Sequence, residues 1–364
     1  MPAPNLKALA ARGVRAEGLI PSFPSKTFPN HYTIVTGLYP DHHGIVSNNI
    51  DEPGFPERFT MASETAKNGR WWGGEPLWVT AIGQGQRAAS MFWPGSEAPI
   101  RGVRPNEWRP FDDKLPNGDR VRQVLDWLAL PPERRPSFVT LYFSEVDAAG
   151  HRFGPASPEL REAARRVDDA LGQLVSGIHA LELLPQTTLV VASDHGMAQL
   201  ADNRVIFLDD YIDMATVNVV EWTPVLALAP VGAPVDGVYR TLKGKHRALN
   251  IYRKGELPAR LRYGRHARIA PILGLADEGW RVTTHQRAAD DLAADRRHGG
   301  DHGYDPRHKS MQGLFVAAGP RVRQGVVVPP FQNIHIYNFL CGVLGLTPAA
   351  NDGDPRVTRA FFRD

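Results

Sequence analysis

Residues 137–197 read SFVTLYFSEVDAAGHRFGPASPELREAARRVDDALGQLVSGIHALELLPQTTLVVASDHGM, and their periodicity changes twice. SFVTLYF (137–143) is a short apolar run rich in β-branched and aromatic residues, the pattern of a buried strand. Leu160, Ala164, Val167, Leu171, Leu174 and Ile178 then recur at helical spacing, one apolar stripe of a long helix. TTLVVA (187–192) returns to the strand pattern. Buried strands joined by helices predict an α/β fold, with a largely parallel sheet covered by helices on both faces.

The same alternation extends outward. Pro4 opens a short helix with Leu6, Leu9 and Ala10 on one face, and Gly13 is placed to end it. Residues 14–20 suit a strand. Residues 28–36 suit a helix, since Pro29 is tolerated in a first turn. Val121, Val124, Leu125 and Leu128 mark another helix, and GLFVAA (313–318) another buried strand. By length alone the chain could be one large domain or two; no internal repeat or long linker interrupts it, and residues 1–364 are expected to form a single domain. Between residues 211 and 296 the rhythm breaks and Pro and Gly become frequent, which points to an insert or cap within that domain.

Composition narrows the function classes. The 364 residues are 42% hydrophobic and 22% charged, an ordinary globular balance. Forty-two basic against 39 acidic residues leave a net charge of +3, too small an excess to suggest a nucleic-acid polymer as partner. One cysteine, Cys341, excludes an intrachain disulfide framework and any cysteine-rich metal site. No apolar run is long enough to span a membrane. MPAPNLKALAARGV has no apolar core of the kind a signal peptide needs.

In open α/β sheets ligands gather at the carboxyl ends of strands. Three polar clusters fall at such positions. Strand 137–143 leads into Asp147 and His151, strand 187–192 leads into Asp194 and His195, and His302 lies in GGDHGYD ahead of strand 313–318. Asp147 and His151 are four apart, so one helical turn aims both at one ion, and carboxylate with imidazole is a normal zinc donor set. Each cluster alone has a plainer reading, as a turn, a cap or a solvated loop histidine. Three together are hard to explain by packing. Thr27 stands at the start of the 28–36 helix and has two readings. It is a helix cap, or it is a hydroxyl placed among free N–H groups where a phosphoryl group binds and where a metal would activate it.

SKTFPNHYTIVTGLYPDHHGIVSNN (25–49), followed in order by PLWVTA, MFWPGSE, EVDAAGH, SDHGM and DHGYD, resembles the nucleotide pyrophosphatase/phosphodiesterase family of the alkaline phosphatase superfamily. The resemblance implies an alkaline phosphatase-like fold, two zinc ions (other divalent transition metals being acceptable to the same donors) and a threonine nucleophile. Carried over, Thr27 is the nucleophile. Asp147, His151 and His302 hold one zinc, and Asp194 and His195, with Thr27, hold the other. Asn48 and the backbone N–H of Phe28 bind a phosphate oxygen. Phe28 stacks on the substrate base, and Phe111 (in RPFDDKLP) stands where the family tends to have a second aromatic, usually tyrosine. Core packing is the other reading of both phenylalanines. His42 and His43 are assigned to structure, not metal.

The family pattern also has a buried first strand ending in a zinc-ligating aspartate, shortly before the helix matching PNLKALAARG. Met1 stands almost immediately before that helix, so the strand and its aspartate are expected to be missing through a late start codon or a truncated chain; Glu17 and Asp41 are misplaced to substitute. A truncation would remove a signal peptide too, which leaves a weak lean to a periplasmic or secreted location. The implied activity is hydrolysis of nucleotide phosphodiester or pyrophosphate bonds through a phospho-threonine, with a small-molecule nucleotide or phosphodiester as substrate. The alternatives are a phosphomonoesterase, a phosphonate hydrolase, a lipid-headgroup (choline) phosphodiesterase, or a metal-poor non-catalytic binder.

Overall fold

Proline at the first helical position opens the two helices that frame the core, and a serine caps the second. The computed structural model describes residues 3–363 apart from positions 53, 62 and 297. Pro4 begins the helix Pro4–Ala11, where its missing N–H removes no intrahelical bond. Pro158–Ala180 starts the same way, and Ser157 accepts the Leu160 N–H at 3.1 Å. Leu160, Ala163, Ala170, Leu171 and Ile178 form its buried stripe. That face packs against the helices Asn117–Leu128 and Glu145–Phe153.

Two sheets carry the site. In one, Phe315–Ala318 lies between Val14–Ala16 and Leu189–Ala192 and is antiparallel to both. Val14–Ala16 pairs in parallel with Val326–Val328. In the other, Ala88–Met91 lies between Glu107–Arg109 and Phe138–Leu141, parallel to both. Parallel pairing therefore holds throughout the second sheet, and Phe315–Ala318 departs from it. A fully buried strand has the same composition in either direction, so its apolar run carried no sign of the reversal. The strand expected over 14–20 is two short ones, Val14–Ala16 and Leu19–Ile20, broken at Glu17 and Gly18; the second pairs with Phe331–Gln332.

Among the described residues, Phe138–Leu141 and Leu189–Ala192 each pair along one edge only. Leu189–Ala192 is half-buried throughout, whereas Ala88–Met91, paired on both edges, is fully buried. The carboxyl ends of the two half-paired strands meet at His31, whose ring centroid is 5.0 Å from that of Tyr142 and whose Nδ1 is 3.1 Å from Asp194 Oδ2.

The stretch 211–296 contains a four-stranded antiparallel sheet in the order Val217–Glu221, Val225–Pro230, Ile272–Ala276, Leu249–Arg253. Strand alternation gives it two apolar faces. Leu226, Leu228 and Ile272 pack with Val238 and Leu242 of the helix Val235–Leu242. Val225, Ala227 and Leu273 turn the other way and join the main core with Tyr32, Trp71, Trp78 and Phe315. This sheet is thereby held against the core, and its first strand ends at Glu221 beside the site. No helix among the described residues is long and apolar enough to cross a membrane.

Candidate active site

The helix Thr27–Thr36 begins at Thr27, is buried from Pro29 to Thr36, and ends at Gly37 in the left-handed region (φ 67°) that glycine adopts without strain. The capping position belongs to Lys26, which makes no side-chain cap bond. The cap reading of Thr27 therefore falls away. Its Oγ1 lies instead 3.4 Å from His195 Nε2.

Asp147 and His151 stand one turn apart on the helix Glu145–Phe153. His302 follows the short strand Gly300–Asp301, which pairs with Ala198–Gln199. One donor atom from each of the three lies within 4.8 Å of the other two. His151 Nδ1 is 3.1 Å from Gly300 O, and His302 Nδ1 is 2.8 Å from Ser25 O. A carbonyl only accepts, so each ring donates from Nδ1 and, when neutral, keeps a lone pair on Nε2. The two Nε2 atoms face each other at 3.0 Å. Burial, then the neighbouring imidazoles of His195 and His151, hold the His302 pKa well below its ordinary value, so that ring is neutral. The His302 lone pair turned toward His151 Nε2, together with a buried Asp147 Oδ1 that lacks any hydrogen-bond partner, forms a donor set suited to a cation. Imidazoles oriented by backbone carbonyls are the usual support of metal ligands. The residues fit a divalent transition metal.

Asp194 and His195 follow the strand Leu189–Ala192. A Cβ at Gly196 would lie 2.0 Å from Ser310 O, so glycine alone lets this loop close on the 310–312 segment. His195 Nδ1 is 2.9 Å from Gly196 O, and its Nε2 is 3.0 Å from Asp194 Oδ2. Burial works to lower the His195 pKa, but the Asp194 carboxylate outweighs it and raises it to about 9. Burial likewise opposes ionisation of Asp194, and His195 and His31 reverse that, holding its pKa well below the usual carboxylate range. The ion pair thus lies beside Thr27, with His195 Nε2 between Asp194 Oδ2 and Thr27 Oγ1.

Asn48 Oδ1 accepts the Phe28 N–H at 3.0 Å, so these two phosphate-binding candidates meet directly. The Phe28 ring packs edge-on to Phe59 at 5.8 Å and on Trp72 at 5.9 Å, which joins its packing role to its place beside Thr27. Phe111 is 51% exposed, which removes the core reading for it. Its ring stands 5.4 Å from Phe92 and 6.3 Å from Tyr142, along an open groove that also includes Arg109 and Arg122. His42 pairs with Asp352, and buried His43 bonds Thr33 and Ile45. Asp41 accepts the backbone N–H groups of residues 264–266.

Three neighbours escaped sequence reading. His31 Nδ1 lies 2.9 Å from Thr27 O and 3.1 Å from Asp194 Oδ2. Its spacing of four from Thr27 on one helix was the available signal. Lys26, buried beside Thr27, pairs with Glu221 at 3.4 Å. Glu221 lies far along the chain in an irregular stretch, and no motif marks it.

Comparison with known proteins adds a family. A family model described as type I phosphodiesterase / nucleotide pyrophosphatase matches residues 2–305. A venom phosphodiesterase of Crotalus durissus collilineatus is 38% identical over 359 residues, 96% of this chain and 42% of that protein. Human ectonucleotide pyrophosphatase/phosphodiesterase family member 1 is 36% identical over 362 residues, 96% of this chain and 38% of that protein. The chain thus spans about two-fifths of the length of these curated relatives. The solved structure of an inactive form of murine ectonucleotide pyrophosphatase/phosphodiesterase 5 in complex with AMP superposes with a TM-score of 0.94 at 31% identity, covering 100% of this chain and 95% of that one.

Proposed function

Because the chain belongs to the type I phosphodiesterase / nucleotide pyrophosphatase family, whose members are metal-dependent, we propose that it hydrolyses nucleotide phosphodiester or pyrophosphate bonds with Thr27 as nucleophile. The observation that carries this reading is the position of Thr27. Its hydroxyl opens a helix, faces His195 Nε2 at 3.4 Å, and is followed by Phe28, whose N–H meets Asn48. The AMP bound by the murine relative supports a nucleotide substrate.

Asp147, His151 and His302 would hold one zinc ion, and Asp194, His195 and Thr27 a second. Manganese or iron suits the same donors. The metals, when bound, supply acidification of the Thr27 hydroxyl and neutralisation of phosphate charge. The remaining work falls to the chain. Thr27 Oγ1 attacks phosphorus, the bond to the leaving alcohol or phosphate breaks, and a nucleotidyl ester of Thr27 results. Water then attacks the same phosphorus and restores the hydroxyl. The Asn48 amide and the Phe28 N–H turn to a nonbridging phosphate oxygen. They stabilise charge where it develops, the larger share of phosphoryl-transfer catalysis. The Phe28 ring and Phe111 flank the base.

Parallel assays on a nucleotide diester, a phosphomonoester and a choline phosphodiester test the reading. Hydrolysis of the first above the other two is expected. A preference for the monoester or the choline diester would replace the nucleotide assignment with one of those.

A further inference from the structure

Glu221 lies at the end of the strand Val217–Glu221, outside every motif that points to the active site, yet its carboxylate is buried against the loop that carries Asn48. Ser47 Oγ donates to Glu221 Oε2 at 2.8 Å, and Asn49 Nδ2 approaches the two carboxylate oxygens at 3.2 and 3.3 Å. These are the two neighbours of Asn48. The Trp222 N–H adds a bond at 3.2 Å, and Lys26 Nζ, one residue before Thr27, stands 3.4 Å away. Lys26 also donates to Thr223 O at 3.2 Å and lies within electrostatic reach of half-buried Asp301, next to His302. One carboxylate therefore ties together the Thr27 loop, both sides of Asn48 and the inserted sheet.

We propose that Glu221 is a positioning residue for phosphate binding, fixing Asn48 through Ser47 and Asn49 and registering it against Thr27 through Lys26. The proposal rests on the phosphate-binding role assigned to Asn48 above. A surface pair with this geometry would contribute little. Here Lys26, Ser47, Asn48 and Glu221 are buried and Asn49 is half-buried. Burial opposes ionisation of Glu221, but the Lys26 charge and then the hydrogen bonds from Ser47, Asn49 and Trp222 together outweigh it and lower the pKa, so the carboxylate is ionised and accepts from every partner. Because a buried network has few alternative arrangements, its loss should loosen Asn48 without moving a metal ligand.

The test is AMP binding, measured by calorimetry in zinc-containing buffer, for the wild type, Glu221→Gln, Asn48→Ala and the two combined. Glu221→Gln should weaken AMP by about tenfold, within the range of coupled neighbours, and should add little in the Asn48→Ala background. Zinc content measured on the same samples should not change. A merely structural role would lower the fraction of binding-competent protein and leave the affinity of the remainder intact. Should Glu221→Gln fail to fold, Ser47→Ala with Asn49→Ala removes the two contacts that flank Asn48 while Glu221 keeps Lys26, and a loss of affinity is again expected. Unchanged affinity, or losses that add in the combined variant, would overturn the proposal, as would a wild type that binds no AMP. Non-additive AMP binding by a protein that hydrolyses no diester would sink the catalytic reading alone.

Discussion

The imidazoles of His195 and His302 lie face to face, with ring centroids 3.5 Å apart and planes 10° from parallel. His302 belongs to the cluster with Asp147 and His151, and His195 to the cluster with Asp194 beside Thr27. The stack joins two donor clusters brought in by loops about a hundred residues apart in sequence. Each ring is fixed by a backbone carbonyl at Nδ1, Ser25 O for one and Gly196 O for the other. Both Nε2 atoms are thereby aimed into the site.

Metal content should follow this grouping. The chain of residues 1–364 is expected to retain about one tightly held zinc, at Asp147, His151 and His302, with weaker loading at Asp194 and His195. Asp147→Ala and His302→Ala should each empty the tight site, and the double variant should lose no more than either alone. Metal analysis after gel filtration reads this directly. Independent, additive losses would mean that the two residues do not share an ion.

Thr27→Ala should abolish diester hydrolysis while leaving the zinc at Asp147, His151 and His302 in place, and the thermal midpoint should stay close to wild type, since the side chain makes no cap bond. Thr27→Ser should keep partial turnover, because it retains the hydroxyl. Near-normal turnover by the alanine variant, with metal loaded, would remove Thr27 from the reaction.

Phe111 distinguishes binding from packing. Its exposure of 51% places the effect of Phe111→Ala on stability within about 0.5 kcal/mol. Loss of a stacking partner, worth roughly 1–3 kcal/mol per base, should raise KM for a nucleotide diester by about tenfold. KM for a choline diester should stay put. Equal effects on the two substrates would show that the ring does not read the base.

His43 carries a pH dependence that can be isolated. Its Nδ1 accepts the Ile45 N–H at 3.1 Å, so its Nε2–H donates to Thr33 Oγ1 at 3.0 Å and the ring is neutral. Burial above all lowers its pKa from 6.5 to about 3. The unfolded chain takes up this proton near pH 6.5 and the folded chain does not. Stability from this group is thus complete above pH 6.5 and is lost as pH falls toward 3. About 2 kcal/mol should go between pH 6.5 and roughly pH 5. Denaturant unfolding of His43→Gln should show a shallower acid slope over that window. An unchanged slope would mean that His43 is protonated in the fold.

The site was legible where chemistry follows a strand within a few residues. Asp147, His151, Asp194 and His195 all stand directly after apolar runs, and the order of motifs placed Thr27, Asn48 and His302 with them. What stayed hidden depends on long-range geometry. Glu221 meets Ser47 across 174 positions, and the irregular stretch around it gave no period to read. His31 had a helical spacing to Thr27 but shared a motif already explained by its neighbours. Ala88–Met91 is the central strand of its sheet, yet AASM has no β-branched residue to mark it. The reversal of Phe315–Ala318 is set by where the 300–312 loop re-enters the sheet, which no local pattern records.

The most direct measurement is mass spectrometry of the protein quenched within milliseconds of mixing with a nucleotide diester in the presence of zinc. A nucleotidyl adduct on the peptide containing Thr27, appearing before product and absent from Thr27→Ala, is the expected result. Steady hydrolysis with no adduct at any time point, or an adduct on another residue, would contradict the assignment of Thr27 as nucleophile.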